Sequence, residues 1–248
     1  MSLVSIIMPY FKKESFLKDT IDSLICQSYQ NFEIILIDDE LSNQSKKFLE
    51  SIKKIDDRIK IIFNEKNIGA GLSRNRGINF ANGEYIAFCD CDDLWIKTKL
   101  EEQLNFMKIN DSGFSYTAYK IIDKNGQEIG SRKAEIEMSY SKLIKSCDIG
   151  LSTVILKKKF FDKDKYCFAN LKTKEDFVFW IRLSRSGLKM LGLNKELSSW
   201  RKLDNSLSSS LPQKLLDGFK VYNLYLKYNI FKSFFYLLIL SFNFLKKK

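Results

Sequence analysis

Short apolar segments alternate with amphipathic segments through the first 112 residues, and this alternation restricts the fold more than any other feature of the sequence. Apolar segments of this length are typical of buried strands, while apolar residues three and four positions apart predict helices. The predicted strands cover residues 4–8, 32–37, 59–63 and 84–88, and the predicted helices cover about 14–29, 42–54, 72–81 and 96–109. Alternation of this kind places parallel strands in one sheet with helices on both faces. We therefore predict an α/β fold with a doubly wound, mostly parallel sheet.

The pattern becomes less regular after residue 112. The predicted elements there are a hairpin over 114–122 with a turn at Gly126, a helix over 138–146, a strand over 151–156 and a helix over 177–184. We predict a change of role near residue 112 and no linker, so that both halves belong to one domain.

The last part of the chain has a different character. Apolar residues follow a helical stripe from Leu215 to Leu226, and residues 234–245 are almost wholly apolar before three final lysines. This apolar stretch is shorter than the roughly 20 residues that a membrane-spanning helix needs. We predict that residues 211–248 form a basic amphipathic helical tail lying on an anionic membrane surface. The alternatives are a helix docked on the protein's own core, or on a second subunit, which would give a homodimer.

Charge and residue usage exclude several classes of function. The chain has 41 Lys and Arg against 30 Asp and Glu, which favours a polyanionic partner such as nucleic acid, anionic lipid or a phosphorylated substrate. It has no histidine, which excludes histidine-based triads and the usual zinc sites. The five cysteines are odd in number and lack a CxxC spacing, so reduced thiols in a cytosolic protein are expected.

An acidic cluster follows the predicted strand at 84–88. Asp90, Asp92 and Asp93 lie within four residues, so they repel one another unless water, a cation or hydrogen-bond donors are near. Mg²⁺ and Mn²⁺ prefer oxygen ligands, and Mg²⁺ often takes one or two carboxylates together with substrate phosphates. The cluster therefore predicts either a metal site or a solvated acidic turn before the next helix.

A second acidic pair, Asp38 and Asp39, ends another predicted strand. The carboxyl ends of parallel strands share one edge of the sheet, where open α/β sheets bind ligands. A nucleotide would suit these groups, since its base and ribose donate hydrogen bonds and its diphosphate shares a metal. Arg74 and Arg76 add cations near that edge, although Arg76 could equally form a surface ion pair.

Several motifs in order resemble one known family. They are Val4-Ser-Ile-Ile-Met-Pro-Tyr-Phe11, Ser23-Leu-Ile-Cys-Gln-Ser-Tyr29, Phe32-Glu-Ile-Ile-Leu-Ile-Asp-Asp39, Asn67-Ile-Gly69, Ser73-Arg-Asn-Arg-Gly77, the segment from Gly83 to Trp95, and Glu175-Asp-Phe-Val-Phe-Trp180. Together they resemble the inverting family-two glycosyltransferases over roughly residues 3–210. The resemblance implies a GT-A-type, Rossmann-like sheet flanked by helices, with residues 1–112 binding a nucleotide sugar and 113–210 binding the acceptor.

The resemblance also implies roles for individual residues. The nucleotide-sugar site would comprise Pro9, Phe11, Glu14, Asp38, Asp39, Asn67, Arg74, Asp90 and Cys91. Within it, Pro9 and Phe11 would border the base, and Asp39 would contact uracil. Asp92 would bind Mn²⁺ or Mg²⁺ directly, with Asp90 near the ribose or the metal.

The acidic pair further along the chain would supply the catalytic base. Asp176 would take the proton, with Glu175 as the fallback. A purely structural reading is that both acids stabilise the start of a helix.

Two departures from the family pattern concern loops. Asp39 is followed by Glu40 and Leu41 where the family has Gly-Ser, so this loop is expected to differ in shape. The segment from Trp200 to Ser208 resembles the family's Tyr-Arg-x-His-x-x-Ser-x-Ser but lacks its histidine. Any role of that histidine would have to pass to Arg201 or Lys202.

The sequence thus predicts a metal-dependent hexosyl- or N-acetylhexosaminyl-transferase. It would move sugar from a nucleotide-diphosphate donor, with UDP expected, to a glycan or glycolipid in bacterial-type surface polysaccharide or lipooligosaccharide assembly. It would work in the cytoplasm at the inner face of the membrane. The alternatives are an inactive nucleotide-sugar-binding scaffold and a nucleic-acid binder. The aromatic residues argue against nucleic acid, because they lie in apolar stripes and are not interleaved with basic residues.

Overall fold

The structure is a computed structural model that describes residues 2–204 and 210–246. The strands are β1 (Val4–Tyr10), β2 (Phe32–Asp38), β3 (Ile59–Phe63), β4 (Tyr85–Phe88), β5 (Leu94–Trp95), β6 (Phe114–Ile122), β7 (Glu128–Arg132), β8 (Ile155–Lys157) and β9 (Leu191–Arg201). The α-helices are α1 (Glu14–Ile25), α2 (Asn43–Lys53), α3 (Ala70–Phe80), α4 (Lys99–Ile109), α5 (Tyr140–Leu143), α6 (Glu175–Arg185), α7 (Leu211–Lys220) and α8 (Ile230–Leu245).

All the described strands belong to one sheet. Its order is β3-β2-β1-β4-β8-β6-β9-β5, with β7 paired to β6. Strands β1 to β4 are mutually parallel, and β6 pairs in parallel with β9, while β8 runs antiparallel to both β4 and β6. The predicted α/β fold with a mostly parallel sheet is confirmed, and the sheet continues without interruption across residue 112.

Two apolar cores cover the two faces of the sheet. Along β1 the side chains alternate, so that Ile6 and Met8 belong to one core and Ile7 to the other. One core takes apolar residues from α1, α2 and α4, and the other takes them from α3 and α6. In the second core the Trp180 ring lies 5.2 Å from that of Phe114 and 5.0 Å from that of Phe179. This packing fixes α6, which carries the Glu175-Asp176 pair at its start.

Some predicted boundaries were wrong, for local reasons. Strand β1 does not stop at Met8 but continues through Pro9. Proline has no backbone N–H to donate, and it is tolerated here because the ladder with β4 has already ended at Ile7. The predicted strand over 151–156 begins instead with a 3₁₀ turn at Leu151–Thr153. Ser152 within that turn contacts the loop that carries Asp90, Asp92 and Asp93, called the acidic loop below. Its Oγ accepts a hydrogen bond from Asp90 N and donates one to Asp93 Oδ2.

The apolar pattern predicted no strand over 191–201, yet β9 is the longest of the described strands. Its ladder with β6 shifts register between Leu193 and Glu196. The polar residues 194 and 195 bulge out there and hide the alternation expected of a strand. The helix predicted over 138–146 is only one turn long, Tyr140–Leu143.

The tail is helical, as predicted, and its α8 helix packs on the protein's own core on one side. Leu240 belongs to that core, and the Tyr236 ring lies 5.5 Å from that of Tyr222. Asn243 Nδ2 donates to Lys145 O at 2.9 Å. Among the described helices, none combines the length and the apolar character needed to cross a bilayer.

Candidate active site

The predicted site residues meet at the edge formed by the carboxyl ends of the parallel strands. Strand β2 ends at Asp38, and β4 is followed at once by Asp90, Asp92 and Asp93. Helix α3 begins at the same edge, since Ile68 N and Gly69 N just before it donate to Asp39. Open α/β sheets bind their ligands at the carboxyl ends of the strands, which is where these residues lie.

Helix α3 lies unusually close to the sheet, and this brings Arg74 to the site. A Cβ atom at Gly77 would lie 2.7 Å from Ile37 Cδ1 and 2.9 Å from Ile7 Cγ2, so a larger residue there would force these two side chains to shift. Arg74, one turn earlier, is 4% exposed and reaches across the edge. The position of the arginine therefore follows from a small residue in the Ser73-Arg-Asn-Arg-Gly77 motif.

Arg74 joins two acidic motifs that lie about 85 residues apart in sequence. Its Nη2 lies 2.6 Å from Asp90 Oδ1, and its Nη1 lies 2.7 Å from Glu175 Oε1. Burial opposes the charged form, but Asp90 and Glu175 outweigh it and raise the pKa of Arg74. Burial also raises the pKa of Glu175 to about 7, against the opposing effect of Arg74. The guanidinium is thus a fixed positive charge between the predicted donor side and the predicted acceptor side.

Asp176 lies beside this bridge, in the first turn of α6. Its Oδ1 accepts from Phe177 N at 2.7 Å, and the described residues provide no hydrogen-bond donor for its Oδ2. Burial raises the pKa of Asp176, while the charges of Arg74 and Lys174 lower it. A carboxylate with one oxygen held and a raised pKa is suited to accepting a proton. Asp176 can therefore both stabilise the first turn of α6 and accept a proton.

The three acids after β4 have three different environments. Asp90 is bonded to Arg74, whereas Asp92 Oδ2 lies 2.5 Å from Lys13 Nζ. Burial and the charge of Asp90 raise the pKa of Asp92. Asp93 is buried, with Oδ1 accepting from Arg201 N, and burial together with the other two acids raises its pKa well above the ordinary value. Asp93 thus organises the loop, while the side chains of Asp90 and Asp92 keep 35% and 14% exposure.

Asp90 and Asp92 suit a divalent cation that shares its ligands with a substrate. Among the described residues, no group of three or more His, Cys, Asp and Glu side chains is arranged to hold a metal. Two carboxylates without a third protein ligand match the mixed ligation typical of Mg²⁺ with phosphates. Lys13 and Arg74 supply the positive charge that otherwise balances these two acids. The donor set fits a metal that arrives with a diphosphate, and Lys13 would have to move away from Asp92.

The carboxylates that end β2 are bonded within the protein. Asp38 accepts from Glu40 N at 2.9 Å and from Ser45 Oγ at 2.9 Å, which shapes the loop after β2. Asp39 accepts from Asn64 Nδ2 at 2.7 Å and from the two amides before α3. Asn67 donates to Asp39 O. Oδ1 of Asp39 accepts two of these bonds and Oδ2 accepts one, so only Oδ2 keeps a lone pair for a ligand. The contact of Asp39 with uracil stays a prediction.

The remaining predicted donor residues surround the end of β1. Phe11 is 44% exposed, and Glu14 opens α1. Cys91 is buried, and its Sγ lies 3.3 Å from Pro9 O, so its side chain packs beneath the edge and does not face solvent. The donor contacts of Pro9, Phe11, Glu14 and Cys91 stay predictions.

Arg76 and Arg201 make hydrogen bonds to other parts of the protein. Arg76 donates to Phe63 O and Asn64 Oδ1, and it forms no ion pair within the part of the chain that the structure describes. Arg201 is buried, and its Nε donates to Asp92 O at 2.9 Å. Its guanidinium also donates to Asp123 O and Lys124 O, so it holds the acidic loop. A part for Arg201 or Lys202 in the role of the missing histidine stays a prediction. Residues 205–208 of that motif lie outside the described residues.

Sequence reasoning missed Lys13 and Ser152. Lys13 follows β1 at the same edge, so two consecutive lysines just after a predicted strand could have indicated it. Ser152 bonds both ends of the acidic loop, and no local pattern distinguishes it from other polar residues.

Comparison with known proteins shows the family of the chain. The family model for glycosyl transferase family 2 matches residues 5–182. The E. coli protein UDP-Glc:alpha-D-GlcNAc-diphosphoundecaprenol beta-1,3-glucosyltransferase WfgD is 34% identical over 209 residues, which are 84% of this chain and 80% of that protein.

Solved structures agree on the fold. S. aureus TarS 1–349 in complex with UDP-GlcNAc has a TM-score of 0.74 at 21% identity, covering 96% of this chain and 70% of that one. The mannosyltransferase PcManGT of Pyrobaculum calidifontis, in complex with GDP-Man and Mn²⁺, has a TM-score of 0.71 at 12% identity, covering 94% and 69%. The matched span contains both acidic motifs and the arginine that joins them, and this chain belongs to glycosyl transferase family 2.

Proposed function

We propose that this glycosyltransferase moves a sugar from a UDP-linked donor to a hydroxyl group of a glycan or glycolipid, with inversion at the anomeric carbon. One observation carries the proposal: Arg74 contacts both Asp90 and Glu175. The arginine thus joins the acidic loop, which would bind the donor, to the acidic pair, which would face the acceptor. Residues 1–112 would hold the nucleotide sugar and residues 113–210 the acceptor.

The residues supply what the reaction needs. A sugar hydroxyl is a poor nucleophile and needs a carboxylate within hydrogen-bond reach as it attacks. Asp176 Oδ2 would take that proton, and Arg74 would stabilise charge on the departing diphosphate. A divalent cation held by Asp90 and Asp92 would share this second task when bound. A single displacement inverts the anomeric centre, so no covalent enzyme intermediate is needed.

The relatives support this choice of substrates. WfgD is named for a UDP-Glc donor and a diphosphoundecaprenol-linked acceptor, and TarS was solved with UDP-GlcNAc. PcManGT was solved with GDP-Man and Mn²⁺, which supports the metal and not the nucleotide. For this chain we propose a UDP-sugar, Mn²⁺ or Mg²⁺, and an acceptor of bacterial-type surface polysaccharide or lipooligosaccharide synthesis.

A screen of nucleotide sugars tests the proposal. We expect a UDP-sugar to raise the unfolding temperature in Mn²⁺ and to be slowly hydrolysed, whereas a matched GDP-sugar should do neither. Donor binding adds free energy only to the folded state, so the shift should grow with donor concentration. Equal responses to every nucleotide sugar, with or without metal, would contradict the proposal.

The exposed side of the tail supports work at a membrane surface. Phe231, Phe235, Leu238, Phe242 and Leu245 recur every three to four residues on α8, and each is more than half exposed. Lys214 and Lys246 lie within about 5 Å of aromatic rings on this helix, at 5.2 and 4.6 Å. An apolar stripe beside basic residues matches the interface of an anionic bilayer. We propose that it holds the enzyme at the cytoplasmic face of the membrane.

Substitution of this stripe should release the protein from lipid. Removal of α8 would disturb the core, because Leu240 and Ser233 are buried. The triple variant Phe231→Ser, Phe235→Ser and Leu238→Ser changes only exposed positions. Burial of one large apolar side chain is worth about 1.5–3 kcal/mol, so partitioning should fall by at least about 100-fold. Sedimentation with phosphatidylglycerol vesicles measures it.

A matched variant separates the tail from general apolar exposure. Ile109→Ser removes a side chain that is 84% exposed at the end of α4, outside the tail. It should sediment like the wild type, and neutral phosphatidylcholine vesicles should retain less of either protein. Unchanged sedimentation of the triple variant would place the lipid contact elsewhere.

A further inference from the structure

The segment that leads into the acidic pair is anchored on one side by α3. Asn75 bonds both backbone groups of Phe168, donating to its O and accepting from its N, each at 2.9 Å. A Cβ atom at Gly71 would lie 2.8 Å from Ala169 O and 2.9 Å from Glu175 Cγ, so α3 touches the segment at both ends. Together with the ion pair of Arg74 and Glu175, these contacts hold the side of the segment that faces α3.

The opposite side is anchored by the tail. Asp217 of α7 is 1% exposed, and its Oδ2 accepts from Thr173 N at 3.0 Å and from Thr173 Oγ1 at 3.1 Å. Gln213 Nε2 donates to the same oxygen at 2.8 Å, and Lys220 Nζ lies 3.5 Å from Oδ1. A buried carboxylate that accepts from a backbone amide of another element is a strong and directional link.

The backbone between this link and the acidic pair is strained. Lys174 joins Thr173 to Glu175 and has φ of 67°, in the left-handed region that residues other than glycine rarely occupy. Such a conformation persists when its surroundings hold it, and it often occurs at functional sites. Here the two holding contacts are Asp217 with Thr173 before the strained residue, and Arg74 with Glu175 after it.

We propose that Asp217 is a positioning residue for the acidic pair, so that the tail sets the direction in which Asp176 meets the acceptor. The proposal rests on the proposed function, in which Asp176 accepts the proton. In this proposal the tail has a second role besides membrane attachment, because Asp217 belongs to it. Helix α7 packs on α8, where the Phe219 and Phe234 rings lie 4.9 Å apart. Contacts made by α8 therefore act on the element that holds Thr173.

Kinetics of four variants test the link. Asp217→Ala removes the acceptor and should lower kcat by about 10- to 100-fold, the order expected for a misplacement of about 1 Å. Asp217→Asn keeps an oxygen for Thr173 N and should retain most of kcat. Thr173→Ser keeps both hydrogen bonds and should behave as the wild type. Lys220→Met removes only the ion pair with Oδ1 and serves as the matched control.

Donor binding distinguishes positioning from general damage. In Asp217→Ala the donor affinity should stay within about threefold of the wild type, because Asp217 contacts the acceptor-side segment. The pH dependence of kcat should also shift, since the distances from Asp176 to Arg74 and Lys174 change. A parallel loss of donor affinity and kcat, or an unchanged kcat, would overturn the proposal.

Hydrogen exchange provides a readout that needs no reaction. In the substrate-free protein, the amide of Thr173 and those of the first turn of α6 should exchange faster in Asp217→Ala than in the wild type or Lys220→Met. Equal exchange at these amides would overturn the proposed link. Absence of sugar transfer by the wild type, with the predicted exchange pattern intact, would instead refute the proposed function.

Discussion

Replacing Asp176 by Asn should lower the rate of sugar transfer by about 10²–10⁴-fold, while donor affinity stays within about threefold. Asn keeps the size of the side chain and can still accept from Phe177 N, but it cannot take a proton. Loss of general-base assistance on this scale corresponds to roughly 3–5 kcal/mol of activation free energy. Single-turnover transfer from a UDP-sugar to an acceptor measures the chemical step directly.

The pH dependence gives a second measure of the same residue. Burial raises the pKa of Asp176, so its active carboxylate form is lost at a higher pH than for an ordinary aspartate. The transfer rate of the wild type should therefore rise with pH as Asp176 loses its proton. In Asp176→Asn this contribution to the profile should be absent.

Glu175→Gln is the matched control. The Gln side chain can still accept a hydrogen bond from Arg74 Nη1, but the substitution removes the negative charge that balances the buried guanidinium. We expect a smaller loss of transfer than for Asp176→Asn, because Glu175 holds Arg74 and the Asp176 side chain remains. A large loss in Glu175→Gln with near-normal transfer in Asp176→Asn would exchange the two roles. Normal transfer in both would refute the assignment of this pair.

Asp92→Asn should abolish the effect of metal on the affinity for the donor. We expect metal-dependent turnover to fall by roughly two orders of magnitude or more, because a neutral amide is a weaker ligand than a carboxylate and a bound metal is worth several kcal/mol in the transition state. Donor affinity should fall in Mn²⁺ and change little in EDTA. Calorimetric titration of a UDP-sugar under both conditions provides the comparison.

Lys13→Met provides the contrast to Asp92→Asn. It keeps both carboxylates and removes the ammonium group that lies 2.5 Å from Asp92 Oδ2. Because this cation competes with a metal for the same oxygen, Lys13→Met should bind Mn²⁺ more tightly in the presence of UDP. Equal donor affinity of the wild-type protein in Mn²⁺ and in EDTA would show that no metal takes part in donor binding.

The sequence alone determined the architecture of the first half and the identity of the acidic motifs. Strands β2 and β3 and helix α2 agree with the predicted segments to within a residue or two, because their hydrophobic patterns are strong and local. The motif after β4 was identified because three carboxylates lie within four residues, and the pair at the start of α6 was identified through its resemblance to the family motif. These features depend on residues that are near one another in sequence.

The tertiary structure decided how these residues act on one another. The sequence placed Arg74 near this edge of the sheet, but the packing of α3 on the sheet decides that it lies between Asp90 and Glu175. The link from Asp217 to Thr173 joins residues 44 positions apart, and the bulged β9 shows no clear alternation along the chain. Hydrogen bonds and ion pairs between distant segments depend on the packing of the helices on the sheet. That packing is set by the whole core, and no local pattern contains it.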